Sequence, residues 1–189
     1  MSATAAGAPE PRVETRSWLL VAFLVFAWVS LLVGTLANIT DLTDHWPKYS
    51  LFFSDPIHLK VWFASAAAFL ALFQIFSAAW VFQKLPWHRP RWIGAAHRWS
   101  GRLAFLISLP VAYNCIFLLG FQDISARTLA HSFAGVFFYG AIASKVLIVR
   151  VHRFPGWALP LAGGLVFSTL IAVWWTSALW FFQNVNVGL

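Results

Sequence analysis

Five long apolar runs alternate with short polar breaks along this 189-residue chain. The runs are Trp18 to Asn38, Ile57 to Phe82, Ala96 to Phe121, Leu129 to Arg150 or His152, and Trp157 to Phe182. Each reaches the roughly 20 residues that a helix needs to cross a hydrocarbon core. Lipid offers backbone groups no hydrogen-bond partner, so every run is predicted to be helical. The first break, Ile39 to Pro56, carries Asp41, Asp44, Asp55 and the pair Trp46-Pro47. Leu85-Pro86 and Arg89-Pro90 form the second, Gln122 to Arg127 the third, and Pro155-Gly156 the fourth; proline and glycine stop helices. Pro110 falls inside the third run and predicts a kink. The expected layout is a tail over 1–17, a five-helix domain over 18–182 with spans at 18–38, 57–82, 96–121, 129–152 and 157–182, and a tail over 183–189. The first run is longer than a signal-peptide core and reads as a retained helix, although Thr35-Leu36-Ala37 offers a small-x-small cleavage site.

Composition narrows the class. Hydrophobic residues make up 60% and charged residues 10%, with a mean hydropathy of +0.73. A disordered chain, a nucleic-acid-binding module and an ordinary soluble enzyme are all excluded by that balance. An all-α integral membrane protein in contact with the lipid bilayer is what remains. The net charge of +7 then records orientation rather than a nucleic-acid partner. Arg12, Arg16, Lys84, Arg89, Arg91, Arg98, Arg102, Lys145, Arg150 and Arg153 fall on one side of the expected bundle. Lys48, Lys60 and Arg127 fall on the other, with most of the acids. This asymmetry places the N-terminus in the cytoplasm and the C-terminus outside. Cys115 is the single cysteine, so no intrachain disulfide forms. Twelve Trp and nineteen Phe suit helices that meet head groups or pack around a flat ligand.

Four of the six histidines sit at span ends. His58 and His131 open spans two and four from the outside. His97 opens span three, and His152 closes span four, both from the inside. Ionisable groups at a membrane boundary are costly and suggest function. Two imidazoles facing across a gap between helices would ligate a haem iron. Zinc would need further ligands, and no Cys, Glu or Asp neighbours these histidines in sequence. The competing reading is that they simply tolerate head groups. The absence of Cys-x-x-Cys-His excludes covalent haem attachment and leaves haem b. Ala64, Ser65, Ala66, Ala67, Ala68, Gly101, Gly135, Gly140 and Ala141 are small enough to open a slot for the ring. Lys60 and Arg127 stand near the outer pair as propionate partners, and Arg91, Arg98, Arg102, Arg150 and Arg153 near the inner pair. Arg102 is the inner candidate, since it lies a turn inside its span. His131 and His152 are 21 residues apart, about 31 Å on a straight helix. One haem at the outer pair is therefore the firmer expectation, and a second at the inner pair stays open. His45 and His88 read as surface residues beside tryptophan.

The pieces His97-Arg98-Trp99-Ser100-Gly101-Arg102 and His131-Ser132-Phe133-Ala134-Gly135 resemble the membrane cytochromes b of the b-561 and ferric-reductase-like type. The layout also looks like a bacterial membrane family, which implies a bacterial cytoplasmic membrane. The resemblance covers about Pro56 to Phe182. It implies that alternate helices pair their histidines: His58 with His131 matches spans two and four, and His97 matches span three. Span five contains no histidine, so His152 is the one substitute for the fourth ligand.

The functional expectation is a haem b electron-transfer subunit, passing electrons between a carrier or partner subunit and quinone or another acceptor. It is a component of an oxidoreductase rather than a self-sufficient enzyme, because the chain has no nucleotide-binding glycine motif. The alternative is a cofactor-free structural or assembly subunit of a larger membrane complex. A transporter is disfavoured, because no acid lies at mid-span; Gln74 and Asn114 are expected to make interhelical hydrogen bonds.

Overall fold

The computed structural model describes residues 11–40 and 47–185, with side chains from residue 15 onward. Asp41, Asp44, His45 and Trp46 lie outside the described residues. The described elements are all helical: α1 (Pro11–Ile39), α2 (Pro56–Val81), α3 (Ile93–Tyr113), α4 (Ala126–Arg150) and α5 (Ala158–Trp174). Two helices change pitch at their C-terminal ends. α3 runs on as a π-helical turn, π1 (Asn114–Leu119), and α5 as π2 (Trp175–Leu179) followed by the short α6 (Trp180–Asn184). Among the described residues, five continuous helical stretches are long and apolar enough to cross a membrane: Thr15–Ile39, Pro56–Val81, Ile93–Leu119, Ala126–Arg150 and Ala158–Asn184.

Local chemistry sets where these helices begin and end. Asp55 caps α2, accepting from the backbone N–H of Ile57 at 2.7 Å and of His58 at 2.9 Å. Pro56 in the first turn needs no donor partner there. Ser125 and Thr128 form a reciprocal capping box at the start of α4. α4 ends at Arg150, two residues short of His152. Pro110 lacks the N–H that α3 requires, and the helix leaves α geometry one turn later, at Asn114. Gly120, with φ 68°, takes the left-handed conformation that closes π1.

The helices pack as a ring. α2 lies against α3 and α5, α4 lies against α5 and α1, and α1 meets π1 to complete the circuit. We call the end where α1 begins proximal and the other distal. At the α2–α3 seam Gln74 donates to the His97 carbonyl and to Ser100 Oγ (2.7 Å). At the distal end Asn114 donates to the Tyr49 carbonyl at 3.4 Å. Between α1 and α4, Ser144 Oγ donates to the Ala22 carbonyl at 3.0 Å. Ala67, Ala71, Phe138 and Leu170 form a buried cluster joining α2, α4 and α5.

Gly140 marks the closest approach of α1 to α4. A Cβ there would collide with Ser30 Oγ and would sit 2.6 Å from the Phe26 carbonyl oxygen. Small residues allow such contact, and extra volume at it is costly. Gly140→Ala should therefore lower thermal stability in detergent by about 1–3 kcal/mol. Gly163→Ala, whose added Cβ meets nothing within 4 Å, should be neutral or stabilising. Equal melting temperatures for the two variants would contradict this packing.

Candidate functional site

The ring of helices borders a cavity of about 90 Å³ to which all five contribute: Val33 and Ala37 from α1, Ala64 and Ala67 from α2, Val111 from α3, Gly135 from α4, Val173 from α5. Phe138 and Leu170 close its floor toward the proximal end. Toward the distal end lies a chamber of about 390 Å³. The two share Cys115, Gly120, His131 and Ser132 as walls. The chamber alone falls within the roughly 300–1,000 Å³ of small-molecule clefts.

The deep wall is almost entirely apolar, and its polar atoms are nearly all committed. Tyr139 donates its hydroxyl to the Ser108 carbonyl at 3.0 Å. Ser108 donates to the Phe105 carbonyl at 2.7 Å. Ser132 Oγ donates to the Gln122 carbonyl at 3.1 Å and accepts from its N–H at 3.0 Å. His131 is the exception. Its Nδ1 lies 3.0 Å from Thr176 Oγ1, whose own hydrogen goes to the Ala172 carbonyl at 2.6 Å. The threonine oxygen must therefore accept, so Nδ1 carries the proton. Nε2 keeps its lone pair, with Cys115 Sγ 4.0 Å away. Cys115 lies in π1 and Thr176 in π2. A π turn inserts one residue and re-aims the side chains around it, and such turns often occur at functional sites.

Cations rim the distal chamber. Lys60 and Arg127 both line it. Arg127 donates to the Thr176 carbonyl at 2.6 Å and stacks 4.0 Å over the Trp180 ring. Arg127 thus also fixes the π2 segment that orients His131.

His58 lies apart from these walls. The α2 wall is formed by Ile57, Lys60, Val61, Ala64 and Ala67. At about 100° per residue, His58 points roughly 120° away from the centre of that face. Its Nδ1 donates to Asp55 Oδ2 at 2.6 Å, and its ring meets Phe181 edge-on at 5.6 Å. Phe181 lines the chamber, so His58 stands one side chain behind the wall. At the proximal end, His97 is tied through Nδ1 to Ser77 Oγ at 2.8 Å. His152 is exposed beyond the end of α4. Arg102 is exposed, with its guanidinium 4.9 Å over the Trp99 ring. His88 is exposed, and its carbonyl accepts from Trp80 Nε1 at 3.2 Å. Among the described residues no three His, Cys, Asp or Glu side chains gather as a metal site.

The expected slot residues divide. Ala64, Ala67 and Gly135 are on the cavity wall. Gly101 instead receives the Gln74 carboxamide, Gly140 receives α1, and Ser65 Oγ accepts from Trp174 Nε1 at 3.1 Å. Sequence reasoning missed Thr176, Cys115 and Phe181 as parts of the site. Their signals were faint: a threonine one helix away, a lone cysteine in an apolar run, and a phenylalanine among nineteen.

A family model matches residues 18–189, and the chain belongs to that family, DUF6529, a family of unknown function. No curated protein and no solved structure matches the chain.

The Asp55 carboxyl is held below its ordinary value of 3.8, chiefly by the backbone N–H of His58, and further by the His58 side chain and the Ile57 N–H. A depressed carboxylate pKa contributes stability above the unfolded value and loses it as pH falls through the folded one. Melting temperature should therefore fall below about pH 4. Asp55→Asn, which still caps a helix, should flatten that acid limb; an unchanged limb would refute the linkage. Cys115 gives a second test. Lys60 and Arg127 should make an anionic thiosulfonate label Cys115 severalfold faster than a cationic one at low ionic strength. Lys60→Gln should shrink that ratio. Equal rates in the unaltered protein would mean the two cations do not govern the chamber.

Proposed function

We propose that this member of the DUF6529 family is a membrane-embedded electron-transfer subunit that would hold one haem b, chiefly through His131. The observation that carries the reading is the orientation of His131 on an apolar cavity wall: Nδ1 is held by Thr176, and Nε2 meets only the weak donor Cys115 Sγ, at 4.0 Å. Bound haem supplies one-electron chemistry at its iron. The chain's residues supply the rest. Thr176 fixes the His131 tautomer through Nδ1, as second-shell acceptors do for metal-bound imidazoles. The apolar wall would face the flat of the group. Lys60 and Arg127 offer the cations that propionates need. His58, which stands behind Phe181, is the second histidine that would help hold the group. His97 and His152 are less suited to a second haem, since one is tied to Ser77 and the other is exposed past its helix.

The proximal end, with its basic residues, faces the cytoplasm in this reading, and the protein resides in a bacterial cytoplasmic membrane. A protein redox partner or larger membrane complex would deliver or remove electrons. One observation favours a second use of the same cavity: a single imidazole, rather than two, reaches its wall. An isolated acceptor nitrogen in an apolar slot also suits the hydroxyl of a quinol, bound directly at His131.

A reduced-minus-oxidised visible spectrum of detergent-purified protein, expressed with ample haem, tests the proposal. A b-type α-band with about one haem per chain by pyridine haemochrome is expected. His131→Ala should lower that ratio at least about tenfold, His58→Ala should retain haem with an altered spectrum, and His152→Ala should leave it unchanged. A colourless protein would overturn the reading in favour of a cofactor-free subunit. Full haem retention in His131→Ala would overturn the ligand.

A further inference from the structure

At the proximal end, remote from His131, two arginines converge on one point of the backbone. The terminal nitrogens of Arg89 and Arg98 each lie 3.7 Å from where a Cβ on Gly94 would stand. Arg89 belongs to the loop before α3, and Arg98 to the second turn of α3. Neither guanidinium has a hydrogen bond or ion pair with any described residue. Among residues with described side chains the acids are Asp55 and Asp123, both at the distal end. Two like charges brought together repel, unless an anion lies between them.

The loop holds Arg89 in place. Trp80 Nε1 donates to the His88 carbonyl at 3.2 Å. The Trp80 ring packs edge-on against Trp87 at 6.0 Å and Trp92 at 6.2 Å. Pro86 and Pro90 restrict the backbone between them, and Ile93 is fully buried. Trp87 and Trp92 remain 59% and 58% exposed, and they stand two residues before Arg89 and Gly94 in the chain. Indoles prefer the head-group layer, and the loop joins two helices apolar enough to span a membrane.

We infer that Arg89 and Arg98, meeting over Gly94 and flanked by Trp87 and Trp92, bind the phosphodiester of an anionic phospholipid in the leaflet at the proximal end. Guanidinium forks match the oxygens of a phosphate, and the exposed indoles cover the glycerol and upper acyl chains. Nothing in this inference depends on haem.

Native mass spectrometry of the full chain in detergent, with phosphatidylglycerol or phosphatidylcholine added, tests it. Phosphatidylglycerol should remain bound where phosphatidylcholine dissociates. The double variant R89Q/R98Q should bind phosphatidylglycerol about tenfold more weakly or worse. Arg150→Gln, which removes an exposed charge at the same end, should bind normally. Gly94→Leu keeps both charges but fills the space between them, and it should also weaken binding while preserving the melting temperature. Equal retention of phosphatidylglycerol by R89Q/R98Q would overturn the site. So would inorganic phosphate displacing the lipid at matched concentration, since that would make the pair a free-phosphate site.

Discussion

Within an apolar span a hydroxyl has no water to bond, so it donates back to its own helix. Ser65, Ser77, Ser100 and Thr176 each give their hydrogen to the carbonyl four residues earlier, at 2.6 to 2.8 Å. Once the hydrogen is committed, the oxygen only accepts. Each of these oxygens then meets a nitrogen from another helix: Trp174 Nε1, His97 Nδ1, Gln74 Nε2 and His131 Nδ1. Trp174 can only donate, which shows the rule at its simplest. The same rule sets the tautomers of His97 and His131, and it stitches α2 to α3 and α5, and α4 to π2. Interhelical specificity and imidazole chemistry thus share one cause.

The two π turns act on the same place. Both lie at the distal ends of their helices, and both touch His131, one through Cys115 and the other through Thr176. α geometry would have moved each of these side chains round its helix. Arg127 adds a third hold, since it takes the carbonyl of Thr176 itself. The surroundings of His131 are therefore specified from three helices, while the rest of the wall needs only apolar bulk.

Much of the fold was legible because lipid imposes length and apolarity on each span. All five spanning stretches, and the breaks at Pro56, Pro90 and Pro155, follow from that alone. The facing of individual side chains was not legible. A helix surrounded by lipid and other apolar helices has no polar face to reveal its inner side, so His58 and His131 looked equivalent as span-end imidazoles. The facing of α2 separates them, with Phe181 of α6 standing beside His58. Gly101 and Gly140 looked like slot formers for a related reason: a small residue admits a ligand or a neighbouring helix equally well, and here both admit protein. His152 lies past the end of α4 because Val151 turns extended, where the apolar run gave no stop before Pro155.

The bundle is asymmetric along its axis, and the asymmetry has a packing origin. Proximally, Gln74 clasps α2 to α3 and the Phe138–Leu170 cluster fills the middle of the ring. Distally, Ala64, Ala67 and Gly135 face the axis, and the ring stays open. The charge distribution follows the same division. Lys60 and Arg127 sit on the wall of the open chamber, whereas Arg102 at the closed end lies outside the ring over Trp99. Arg102 at the closed end is thus exposed, whereas Lys60 and Arg127 at the open end line the cavity. The cations of the two ends therefore meet different surroundings, an outer surface at one and a cavity wall at the other.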